Sequence, residues 1–189
     1  MRMSLDGGEE IRVPGSPDIR TFVTFQTQRF NTTEVQPHFI NPCCFGEDCA
    51  TWLTSTLRAE GWAELSPPWQ EDWGWQAGGE RRGRKYLVSV GLLDGPDEPG
   101  EAAAPAPARQ STPDEWLVQL TESAGLLARL RGAVGAPVLP DLARTVHRVL
   151  QDAPDVQSIR WHFADQFDRG PSAGTFDPEA PRGIGEAAV

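Results

Sequence analysis

Trp69-Gln70-Glu71-Asp72-Trp73-Gly74-Trp75 places three indoles and two carboxylates within seven residues. Indoles are expensive to leave in water and seldom buried completely, because the ring N–H needs a partner. In an extended chain, side chains alternate between faces, so Trp73 and Trp75 would share a face with Gly74 between them. The opposite side is then bare at Gly74, where a backbone or a ligand can approach closely.

Downstream, Trp73 to Ala77 reads as a short strand and Gly78 to Gly83 as a flexible turn. Arg84 to Leu92 is a second strand, with Tyr86, Val88, Val90 and Leu92 on one face. Leu87 on the other face predicts a strand covered on both sides, and so central in its sheet. Residues 94–113 are rich in Gly, Pro, Ala and acids without periodicity, and read as a mobile insertion between two strands of one hairpin. Trp116, Val118 and Leu120 then alternate as the next strand. A short amphipathic piece over Gly125 to Val134 precedes a helix that begins at Pro140 and ends near Asp152. Val156 to Phe163 is the last strand, with Ile159, Trp161 and Phe163 inward and Ser158, Arg160 and His162 outward.

Upstream, Ile19 to Thr27 alternates as a strand, and Val35 to Ile40 can return as its hairpin partner, held to an edge or bulge by Pro37. Glu47 to Glu60 is a helix with Cys49, Ala50, Leu53 and Leu57 on one face, acids in its first turn and Gly61 as its stop. The predicted order is β-β-α-β-β-β-α-β. Short connections between neighbouring strands favour an α+β domain, with a mostly antiparallel sheet and both helices on one face. It spans residues 18–168, after a loose arm over 1–17 and before a disordered tail over 169–189.

The bulk numbers narrow the function. The net charge is −10 over 189 residues and the pI is about 4.7. Such a surface repels nucleic-acid phosphates and suits a basic protein partner. One lysine, Lys85, stands among many arginines, with abundant Ala, Gly and Pro, which reads as the bias of a GC-rich bacterial genome. Neither a membrane span nor a signal peptide is evident, so the expected compartment is the cytoplasm. Cys43, Cys44 and Cys49 are odd in number and clustered, unlike a disulfide framework.

Glu47, Asp48, Glu71 and Asp72 are the candidate acids, and Trp69, Trp73 and Trp75 the candidate platform. Four converging carboxylates could hold a metal or do acid–base chemistry, and flat indoles could bind a sugar, a base or a cation. The plainer reading weighs more: first-turn acids serve the helix dipole, loop acids are ordinary, and tryptophans anchor cores. His38 with the three cysteines could bind zinc, but adjacent Cys43-Cys44 has the wrong spacing. A thiol at Cys43 or Cys44 near the helix start could be reactive. No phosphate-cradling loop, nucleophile elbow or zinc-protease helix occurs, so no cofactor, metal or catalytic residue is assigned.

The set Phe45-Gly46-Glu47-Asp48, Trp52-Leu53, Gln70 to Trp75 and Ile159-Arg160-Trp161-His162 resembles a family of small uncharacterised bacterial proteins. The likeness runs from about Cys43 to Phe163, with the Pro/Ala insertion as a departure. It implies a single domain and lends no mechanism. The preferred expectation is a non-enzymatic protein-binding module with an acidic, Trp-rich surface, and an exposed tryptophan patch also suits a homodimer. The alternative is a small-molecule or metal-binding domain, enzymatic or not, built on the four carboxylates.

Overall fold

Alternating apolar residues build the sheet. The structure is a computed structural model that describes residues 19–42, 44–93, 113–124, 135–169 and 174–182. Its strands are β1 (Phe22–Thr27), β2 (Trp69–Glu71), β3 (Gly74–Arg81), β4 (Arg84–Leu92), β5 (Asp114–Ala124) and β6 (Gln157–His162). The helices among the described residues are α1 (Glu47–Ala59) and α2 (Leu139–Asp152), and a 3-10 turn covers Ala164–Arg169. All six strands form one antiparallel sheet in the order β2-β3-β4-β5-β1-β6. The fold is α+β, as the alternation and the short connections predict.

One apolar core lies between the sheet and the two helices. Val23 and Phe25 of β1, Trp75 of β3, Val88 and Val90 of β4, Trp116 and Val118 of β5 and Trp161 of β6 supply the sheet side. Cys49, Leu53 and Leu57 of α1 and Leu142, Val146 and Leu150 of α2 close it. β4 lies inside the sheet and pairs with β5 from Arg84↔Ala124 to Leu92↔Trp116, so the long insertion does join two arms of one hairpin.

Helix α2 begins without a side-chain cap of its own. Glu122 on β5 does that work: its Oε2 accepts the N–H groups of Val138 and Leu139 at 2.5 and 3.0 Å. Its Oε1 takes Arg84 Nη1 at 2.6 Å, and Arg84 Nε donates to the Gly135 carbonyl. The ion pair is buried, with side-chain exposures of 10% and 7%. A carboxylate at the positive end of a helix, already neutralised by Arg84, satisfies orphan N–H groups without an unpaired buried charge.

Several expectations are corrected. Val35 to Ile40 is not a strand, and β1 is flanked by β5 and β6 instead. Asn31 diverts that segment: its Oδ1 accepts Thr33 and Glu34 N–H and its Nδ2 donates to the Glu34 carbonyl, while Phe39 N–H turns back onto Gln36. Such local bonds compete with a ladder, and Pro37 lacks the N–H to join one. The missing strand is replaced by β2. The expected turn over 78–83 shrinks to Arg82-Gly83, with φ of 55° and 70°, and β3 runs straight to Arg81. His162 is buried rather than exposed, because Phe167 and Gly174 cover it. Residues 174–182, placed in the tail from sequence, pack on the domain: Thr175 bridges Trp161, and Pro178 accepts Arg20 N–H. The arm at 1–17, residues 94–112 and the piece over 125–134 lie outside the described residues.

Candidate functional site

β2 and β3 form a hairpin whose two-residue turn is Asp72-Trp73. Gly74 is required there by a close approach: a Cβ would stand 2.3 Å from the Val90 carbonyl oxygen. The bare side of Gly74 therefore receives backbone, not a ligand. The pairing puts Gln70 opposite Trp75, with both side chains on the helix side of the sheet. Gln70 Oε1 accepts Ile40 and Asn41 N–H at 2.5 and 3.2 Å, and its Nε2 donates to the Asn41 and Cys44 carbonyls. Trp75 Nε1 donates to the same Cys44 carbonyl at 3.0 Å. One buried amide and one buried indole thus hold Ile40, Asn41 and Cys44, and Gly46 follows as the N-cap of α1.

Three of the four candidate acids are individually engaged. Asp48 Oδ2 accepts Asn31 N–H at 2.7 Å and its Oδ1 accepts Cys49 N–H, which ties the 31–42 segment to the first turn of α1. Glu47 Oε1 pairs with His38 Nε2 at 2.8 Å. Glu71 Oε1 accepts Trp69 Nε1 at 2.7 Å. Asp72 is exposed, and its backbone carbonyl takes Asn41 Nδ2 and Cys44 Sγ. Among the described residues, no three His, Cys, Asp or Glu side chains gather as a metal site requires. The four carboxylates therefore share one end of the molecule without converging on a point.

The tryptophans separate. Trp75 is buried in the core and leaves the expected platform. Trp69 lies over Gly78 and Trp73 over Gly91, both on the face of the sheet away from the helices, because Leu87 and Gly91 alternate with core residues Val88 and Val90. Trp73 and Trp75 thus point to opposite faces, since Trp73 sits in the turn and does not continue the strand. Cys44 and Cys49 are both buried. Burial first, and then the Asp48 charge, push the Cys49 thiol well above its ordinary value, so it is a core residue and not a nucleophile.

Sequence reasoning missed three contributors here. Ile40 is 83% exposed and Val35 52%, beside Trp69 and Trp73 at 37% each. Gln70 went unassigned, although a two-residue turn at Asp72-Trp73 would have set it opposite Trp75. From Phe30 to Glu80 the chain carries eight carboxylates against one arginine, Arg58, and that charge run was legible in the sequence. A shallow cleft of about 180 Å³ opens between the 31–42 segment and α1, lined by Asn31, Gln36, Phe39, Gly46, Glu47 and Asp48. No described helix is long and apolar enough to cross a membrane. No family model matches the chain, and no match was found among curated proteins or solved structures.

Proposed function

We propose that this protein is a non-enzymatic binding module that docks a basic protein partner on its acidic, tryptophan-bearing end. The surface comprises the 31–42 segment, the first turn of α1 and the β2–β3 hairpin. The observation that carries the reading is the coincidence of apolar and anionic exposure. Of the five large apolar side chains exposed among the described residues, Val35, Ile40, Trp69 and Trp73 belong to this end, and only Phe176 does not. Around them stand Glu34, Glu47, Asp48, Glu71 and Asp72. Exposed aromatic and aliphatic anchors with a charged rim are how protein interfaces are built, and a rim of one sign selects a partner of the other.

The test compares wild type with Ile40→Ser, Trp73→Ala and the Glu71→Gln/Asp72→Asn pair. A partner captured by wild type at low salt is lost to each variant while the melting temperature holds within about 2 °C, as surface changes allow. Its affinity also falls as salt rises. Equal capture by all four proteins refutes the surface. Wild-type sedimentation shows whether the occupant is a second copy of this chain.

The cleft beside Phe39 and Glu47 favours a second reading, a site for a small cationic ligand. A thermal-shift screen of amines, guanidines and divalent metals tests it, because a ligand that binds only the folded state raises the midpoint.

A further inference from the structure

β6 is the last strand of the sheet, and its outer edge is bridged at Trp161 by Thr175 of the 174–182 segment. Thr175 and Trp161 exchange two backbone hydrogen bonds, at 2.6 and 2.8 Å. On either side of that bridge a histidine is covered. Trp161 and His162 point to opposite faces of β6, and the segment straddles the edge between them. On the outer face, Gly174 lies against the His162 imidazole so closely that a Cβ would stand 2.4 Å from its Cε1. On the helix face, the Phe176 ring meets His147 of α2 edge to face at 5.0 Å.

The His147 imidazole is held neutral. Trp161 Nε1 donates to His147 Nδ1 at 3.2 Å, which requires an unprotonated Nδ1. His162 Nε2 meets Thr24 Oγ1 at 3.2 Å, under the apolar ring of Phe167. The segment is further secured by Arg20 to the Pro178 and Ala180 carbonyls, by Arg144 to Glu179, and by Arg182 to Asp165.

We propose that residues 174–182 form a strap that acid releases from the β6 edge, with His147 and His162 as its proton sensors. Burial, then the charges of Arg160 on β6 and Arg20 ahead of β1, push His162 down to about 4. Burial lowers His147 as well, partly offset by Asp177 in the strap. On the same helix, Arg144 is turned to Asp141 and Glu179, and Arg148 to Glu60. A released histidine titrates near 6.5, so protons favour the released state. The closed strap has full weight above about 6.5 and loses it as pH falls toward 4. If release returns His162 to water, its proton alone favours release by about 30-fold at pH 5. Release bares the N–H and C=O of Trp161, where another extended segment can pair.

The test is amide hydrogen exchange on the full chain at pH 7.5 and 5.0, corrected for intrinsic rates. Protection over 157–163 and 174–182 should fall at least tenfold at pH 5.0 while β4 and β5 keep theirs. The His147→Gln/His162→Asn double variant should retain strap protection at pH 5.0. Equal protection at both pH values overturns the proposal, as does uniform loss across β4, β5 and the strap, or equal loss in the double variant. Should that variant not fold, an NMR titration of His162 in wild type and Gly174→Ala decides. A low value that rises toward 6.5 when the added methyl lifts the strap supports the latch, and identical values overturn it.

Discussion

Gln70 and Trp75 face each other across β2 and β3, and both donate to the Cys44 carbonyl, at 3.3 and 3.0 Å. The amide also holds the N–H groups of Ile40 and Asn41. Replacing it strips the loop of four bonds at once. Gln70→Leu should lower the unfolding free energy by about 2 kcal/mol, because the freed backbone groups are partly reached by water and not stranded. It should also weaken partner capture by letting Ile40 move. A Gln70→Leu/Trp75→Phe cycle in urea should show coupling of about 0.5 kcal/mol or more through the shared carbonyl, and strictly additive losses would argue against one clamp.

Glu122 joins the sheet to α2. Glu122→Gln leaves Arg84 buried without its counter-charge and weakens the cap on Val138 and Leu139. Breaking one side of a buried pair costs about 3–5 kcal/mol, whereas an apolar replacement of both is far milder. Urea unfolding of Glu122→Gln beside Arg84→Met/Glu122→Leu checks this. The single variant should be the less stable of the two.

Arg82 occupies a left-handed backbone conformation, φ 55°, in the β3–β4 turn. Asn tolerates that region better than Arg. The ion pair with Asp141 that Arg82→Asn would lose is exposed and worth little. The substitution should therefore raise stability by about 0.5 kcal/mol, read as a higher melting temperature with unchanged circular dichroism.

Glu64 gives a pH dependence of known sign. Burial pulls its carboxyl upward, but the Arg81 guanidinium outweighs that and holds it below the ordinary value. Its contribution is present above the unfolded value of about 4.3 and is lost as pH falls through the lower folded value. Urea midpoints taken from pH 6 to 3 should fall more steeply in wild type than in Glu64→Gln. The difference should stay within about 1 kcal/mol, since the pair is partly solvated. Next to it, Tyr86 is pushed above its ordinary range by burial and then by the Glu64 charge, so it stays neutral throughout.

What repeats locally could be read from residue order alone. Period-two alternation located β1, β4, β5 and β6, and the spacing of Cys49, Leu53 and Leu57 located α1, because burial on one face is written into the order of residues. The acidic, indole-rich character of the β2–β3 hairpin was equally plain. Tertiary structure alone decided which groups meet. Asn31 outcompeted a strand at Val35 to Ile40 through bonds specific to its own loop. Trp75 went to the core while Trp73 stayed outside, because a two-residue turn reverses the face on which an indole falls. Glu122 became the cap of a helix that begins 17 residues later. The segment at 174–182 gained order from the edge of β6, the two histidines beside it, and Arg20, Arg144 and Asp165 around it. Periodicity records which face of an element is buried, and it carries no information about the distant partner that completes each hydrogen bond or shields each charge.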